Sequence, residues 1–351
     1  MSKRIAFCAD GTWDSSASRT NVYKLFKSLA VGANQMPFYD DGVGANMLPI
    51  EKFLGGAFGI GLFDKIKEAY TKISQVYEEG DDLYIFGFSR GAYTARSLAG
   101  MIAVCGLPTK NFTDDLVETA FNAYRNKDNN RAQLLNSLNG RGMFDAKITM
   151  VGVWDTVGAL GIPALLGGVD PLLYGFLDTS LHPDVLNACH ALAIDERRLE
   201  FPATLWTSNP ASGQTIEQIW FCGAHGDIGG GEPSDGSDTT ALSDIPLAWM
   251  MEKASALGLQ FAADAKSSYS FPVDPKYALD KMHESWNPIW GFPKHRSIGD
   301  KSVIANSAVL RAQHDNTWRP PNLQFVNGLP APTYTVAPIV GLPQLAVAAH
   351  P

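Results

Sequence analysis

Apolar residues follow two patterns along this chain. Short, nearly unbroken runs occupy residues 5–9, 36–39, 83–88 and 148–154, and residues 216–222, interrupted by Glu217 and Gln218, read as a further strand. Runs of that length suit strands covered on both faces. Between them, apolar positions recur at helical spacing. Residues 21–30 place Val22, Leu25, Phe26 and Leu29 on one face, with Thr20 or Asn21 as the cap. Helices are likewise predicted over 63–79, 92–104, 114–126 and 129–138, and from the cap Ser243 to Ala256, with Gly258 beyond its end. Residues 188–194 fit either element, and 203–208 read as a short strand. Strands alternating with helices predict an α/β fold of the α/β-hydrolase kind. Its central sheet should be mostly parallel, with helices on both faces and a small loop or helical cap.

Two stretches break the alternation. Residues 46–62 and 158–177 are apolar and glycine-rich without a period. They predict cap-like insertions, at about 44–63 and 158–187, in a single domain over residues 1–330. Residues 331–351 alternate proline with small apolar residues and read as a C-terminal arm. In a parallel sheet, functional side chains gather beyond the carboxyl ends of the strands. Asp10, Asp40, Ser89, Asp155 and His225 each stand at or just past such an end.

Gly87-Phe88-Ser89-Arg90-Gly91 is a Gly-x-Ser-x-Gly pentapeptide. Alone it carries little weight in a chain this rich in glycine. A strand before it and a helix after it give the layout of a nucleophile elbow, with the hydroxyl held clear of the sheet. A serine needs a base, most often a histidine oriented by a carboxylate. Of seven histidines, His225 has the best context, just past a strand in the glycine-rich loop 223–231. Asp155, ending the 148–154 strand, gives the order serine, acid, histidine found in α/β hydrolases. Asp195 and Asp227 are its rivals; Asp227 is close enough to His225 to shape that loop instead. The oxyanion hole would take the Arg90 amide and a second amide, Gly11 or Thr12, from the turn after the first strand.

Composition narrows the classes. The chain has 351 residues, 45% of them hydrophobic and 18% charged, enough for a substantial core. A net charge of −8 with no basic run excludes nucleic acid as a partner. Cys8, Cys105, Cys189 and Cys222 lie in apolar surroundings and read as buried thiols. No cofactor or metal is expected. Residues 87–91 lack the Lys-Ser/Thr pair of a phosphate loop. Asp227, Asp235, Asp238 and Asp244 raise the question of calcium, but acidic loop residues are ordinarily solvated. An aspartate-nucleophile phosphatase, suggested by Asp10-Gly11-Thr12, would need an aspartate where Cys8 stands. The start of the chain has no signal-peptide core, and no apolar stretch has membrane-span length. A cytoplasmic protein is expected, or one exported without a signal peptide.

Five segments together (9–13, 39–44, 87–96, 153–158 and 220–231) resemble a bacterial and fungal family of predicted α/β hydrolases, formerly a domain of unknown function. That family includes phospholipase effectors of the type VI secretion system. The resemblance spans about residues 4–260. It implies Ser89, Asp155 and His225 as the triad, in agreement with their order, and hydrolysis of an ester or phospholipid. It further implies peripheral membrane contact and a secretion-system or immunity partner. The expected activity is that of a serine hydrolase cleaving small-molecule or lipid carboxylic esters through an acyl-enzyme. The alternative is a non-catalytic interaction module on the same fold.

Overall fold

A computed structural model describes residues 2–11, 19–42, 58–108, 112–126, 130–157, 179–232, 242–265 and 272–345. Among them, eight strands form one sheet: β1 (Arg4–Ala9), β2 (Gln35–Asp40), β3 (Asp82–Phe88), β4 (Ile148–Trp154), β5 (Asn187–Ala193), β6 (Thr215–Phe221), β7 (Val303–Ala305) and β8 (Thr335–Ala337). Their order is β8-β7-β6-β5-β4-β3-β1-β2, and every neighbouring pair is parallel. The helices are α1 (Asn21–Ser28), α2 (Phe58–Val76), α3 (Arg90–Cys105), α4 (Asp114–Arg125), α5 (Asn130–Leu138), α6 (His225–Gly229), α7 (Asp244–Ala256) and α8 (Asn306–His314).

The unbroken apolar runs serve two cores, because side chains alternate across a strand. In β1, Ala6 and Cys8 enter one cluster while Ile5, Phe7 and Ala9 enter the other. In β3, Tyr84, Phe86 and Phe88 face the first and Leu83 and Ile85 the second. The first core is closed by α1, α7 and the C-terminal elements, the second by α2, α3 and α4. Cys8, Cys105, Cys189 and Cys222 are buried thiols outside any disulfide. The α1 start is capped as its sequence indicates, with Thr20 Oγ accepting from the Tyr23 amide.

Several expectations change. The ambiguous stretch near 188–194 is β5. Residues 203–208 form no strand beyond an isolated bridge of Ala203 to Val157. There the Gln218 side chain takes both backbone groups of Trp206, doing locally what a neighbouring strand would do. The C-terminal part, which carries little periodic signal, supplies β7, α8 and β8. Thr335–Ala337, expected in the arm, pairs with β7 as the edge strand, so the sheet extends past residue 330. Most of both cap-like insertions lies outside the described residues. Among the described residues, no helix is long and apolar enough to cross a membrane.

The chain forms β1, steps to β2 on one side, then returns to place β3 on the other. The reversal between β1 and β3 is a topological switch point, where parallel sheets open a crevice at their carboxyl ends. Ala9 is level with Gly87, Phe88 with Trp154, Trp154 with Ala191, and Ala193 with Phe221. Residues that follow these strands therefore meet at one rim.

Candidate active site

Ser89 joins β3 to α3 with φ 56° and ψ −121°. An L-residue adopts that conformation only under constraint, and the constraint here is packing. A Cβ on Gly87 would lie 2.3 Å from Gly91 O, and one on Gly91 2.2 Å from Ala9 O and 2.3 Å from Asp10 O. Both glycines are therefore required: one lets the turn close, the other lets α3 press its N-terminus against the end of β1. The hydroxyl of Ser89 stands at the positive end of α3.

His225 Nε2 lies 2.8 Å from Ser89 Oγ, and His225 Nδ1 lies 2.6 Å from Asp155 Oδ2. The structure thus brings together the three residues singled out by order, across 136 and 70 positions of chain. His225 does not sit in an open loop as expected; it begins the single-turn α6. Asp227 fixes that turn by accepting the Ala224 amide at 2.9 Å and pairs with His283 Nδ1 at 2.7 Å. The imidazole is flanked by the rings of Phe88 and Phe201, with centroids 4.6 and 5.1 Å away. Asp195, the other rival acid, accepts instead from the Gly223 amide and Trp318 Nε1.

Asp155 is fully buried, with φ 42°. Its Oδ1 accepts the Ala193 amide at 2.9 Å and Arg296 Nη1 at 2.5 Å, and its Oδ2 accepts Arg296 Nη2 at 2.9 Å beside His225. Burial alone would push this carboxyl upward. The Arg296 guanidinium and His225 overcome it and hold the carboxyl well below the usual carboxylate range. Burial pushes the His225 imidazole down, against the upward pull of Asp155. A neutral imidazole can accept the serine proton.

Sequence reasoning missed Arg296 and Glu196. Glu196 is buried after β5, accepts the His225 amide at 3.3 Å, and is forked by Arg198 through Nε at 3.0 Å and Nη2 at 2.8 Å. Charged Asp195-Glu196-Arg197-Arg198 reads as a surface run, yet Glu196 is buried beside His225 and paired with Arg198. For Arg296 the sequence offers no signal.

The Arg90 amide opens α3 directly after Ser89. The Gly11 amide donates to Asp10 Oδ1 at 2.8 Å, and Thr12 lies outside the described residues. Asp10 also accepts from Thr20 Oγ at 2.7 Å and Tyr39 OH at 2.6 Å, and burial pushes its carboxyl up to about 6. Asp40 pairs with Lys65 at 3.0 Å and Lys72 at 3.4 Å, a structural use. Among the described residues, no group of three or more His, Cys, Asp or Glu is placed to hold a metal ion. Asp235 and Asp238 lie outside them.

Residues 3–253 match the family described as type VI secretion system phospholipase effector Tle1-like, catalytic domain. An uncharacterized protein of Saccharomyces cerevisiae is 29% identical over 235 residues, covering 59% of this chain and 33% of the relative. An uncharacterized Pseudomonas aeruginosa protein of known crystal structure aligns with TM-score 0.46 at 18% identity, over 81% of this chain and 49% of that one. The Tle1 effector, solved bound to the VgrG spike of the type VI secretion system, aligns with TM-score 0.36 at 20% identity, over 68% and 52%. The chain thus spans a third to a half of the length of these relatives.

Proposed function

The chain belongs to the Tle1-like phospholipase effector family of the type VI secretion system, matched on the catalytic domain, and on that premise we propose that it is a serine hydrolase of carboxylic esters, lipid esters among them. One observation carries the reading: the hydroxyl of a strained strand-to-helix serine lies within hydrogen-bond reach of an imidazole whose other nitrogen meets a buried, ionised carboxylate.

In this mechanism Ser89 Oγ attacks the ester carbonyl while His225 Nε2 takes its proton. Asp155 holds the Nδ1–H tautomer and stabilises the imidazolium. The oxyanion of the tetrahedral intermediate is met by the Arg90 amide and by a second amide from the turn after β1, Gly11 or Thr12. Gly11 serves only if it releases Asp10 Oδ1. Collapse expels the alcohol, which takes the proton from His225, and leaves Ser89 acylated. Water, deprotonated by His225, then releases the acid and restores the serine. A lipid substrate, contact with a membrane surface and delivery through a secretion system are the parts of the proposal that rest on family membership.

A fluorophosphonate probe with a panel of short- and long-chain esters and phospholipids tests it. The expected result is labelling at Ser89, turnover that favours longer acyl chains, and neither in Ser89→Ala. A folded protein that resists the probe and turns over nothing on the panel would instead be an interaction module on a hydrolase scaffold.

A further inference from the structure

Arg296 reaches the site from the C-terminal segment, outside the residues 3–253 matched by the family. It is buried, and three carbonyl contacts aim its guanidinium: Nε and Nη2 donate to Phe201 O at 3.0 and 2.8 Å, and Nη1 to Ala193 O at 3.2 Å. So held, it forks both oxygens of Asp155. Oδ2 then carries two donors, Arg296 Nη2 and His225 Nδ1. When His225 takes a proton, two cations share one carboxylate. The attraction that ordinarily raises the basicity of a triad histidine is therefore already partly satisfied.

The other charges near His225 are compensated as well. Glu196, on its backbone, is paired with Arg198. Asp227, on its own helix, is hydrogen-bonded to His283 Nδ1, and burial pushes its carboxyl up. Glu232 follows the helix, and burial pushes its carboxyl up. His190, whose Nε2 accepts the Thr156 amide next to Asp155, is pushed down to about 3 by burial and Arg96 and stays neutral. With Asp155 matched by Arg296 and Glu196 by Arg198, a neutral His225 sits between two balanced pairs.

Resting on the serine-hydrolase reading, we propose that Arg296 is a positioning residue that fixes Asp155 against His225 and takes up part of the attraction that this carboxylate would otherwise exert on a protonated imidazole. The C-terminal segment is then part of the catalytic apparatus.

The test is a histidine NMR titration of Ser89→Ala protein, which needs no turnover, alone and with Arg296→Met or Arg296→Lys. Arg296→Met is expected to raise the His225 midpoint by about one pH unit, and Arg296→Lys, which keeps the charge, to move it by roughly half that or less. With Ser89 intact, the acid limb of kcat/KM should move the same way in Arg296→Met. Its kcat should fall ~10- to 100-fold while KM changes about twofold or less, as loss of orientation requires. A folded Arg296→Met protein with an unmoved His225 midpoint overturns the proposal. If Arg296→Met does not fold, Arg296→Lys decides: a roughly tenfold loss of kcat at an unshifted midpoint supports positioning, and unchanged kcat overturns it. A shifted midpoint in a protein that hydrolyses no ester sinks the hydrolase reading and leaves the electrostatic arrangement standing.

Discussion

At the ends of β1 and β4 the chain buries two aspartates, and their surroundings drive them in opposite directions. Asp10 is met by a hydroxyl, a phenol and an amide, all neutral, and burial pushes it up to about 6. Asp155 is as deeply buried but touches a guanidinium and an imidazole, and it is held far down. Neutral donors soften the desolvation of a carboxylate; a fixed cation reverses it. Only an aspartate kept ionised through the cycle can steady an imidazolium. The difference in partners matches a difference in use under the proposed mechanism: there Asp155 serves the base, whereas Asp10 braces the turn beside the elbow.

The sharpest way to break this comparison is to neutralise each carboxyl in turn. Asp155→Asn should reduce kcat by ~10³- to 10⁴-fold through loss of the correct tautomer. Asp10→Asn should cost about tenfold or less in ester turnover assays, because it touches the elbow only through its loop. Equal losses would collapse the distinction.

Next in size is Gly91→Ala. Its methyl would meet the carbonyls of Ala9 and Asp10, so it strains the join between the two regions. A loss of about 2–3 kcal/mol in urea unfolding is expected from overpacking, with reduced turnover in the folded fraction.

Stability against pH separates the two carboxyls by sign. The folded value of Asp155 is depressed, so its contribution is present at neutral pH and is lost as pH falls through that low value. The folded value of Asp10 is raised, so the cost of ionising it grows between about pH 4 and pH 6 and reaches about 3 kcal/mol by pH 7. Asp10→Asn should therefore be stabilised relative to the parent at pH 7 and not at pH 4.5, by chemical denaturation. A parent-to-variant difference that does not change with pH would contradict this.

The smallest effect should come from Tyr39→Phe, which removes one donor to Asp10 Oδ2. About 1 kcal/mol of stability should go at pH 7, and less at pH 4.5, where the carboxyl is protonated.

Much of the molecule was legible because it is locally encoded. The apolar runs of β1, β3 and β4 and the elbow pentapeptide are contiguous in sequence. Even the grouping of Ser89, Asp155 and His225 was readable, since parallel strands send their carboxyl ends to one rim. Harder to read were β7 and β8, at three residues each too short to show a period, and α6, whose glycines signal a loop until Asp227 closes its first turn.

By itself, then, the sequence determined the α/β class, the strained serine turn and the strand ends from which a base and an acid would come. Short-range sterics and side-chain periodicity act between near neighbours and leave their mark in order and spacing. Tertiary structure alone decided the charge environment: the fork of Arg296 on Asp155 across 141 positions, the Glu196–Arg198 pair behind His225, and the neutral enclosure of Asp10. Electrostatic energy depends on distance in space and on exclusion of water, and neither is written in the spacing of residues along a chain.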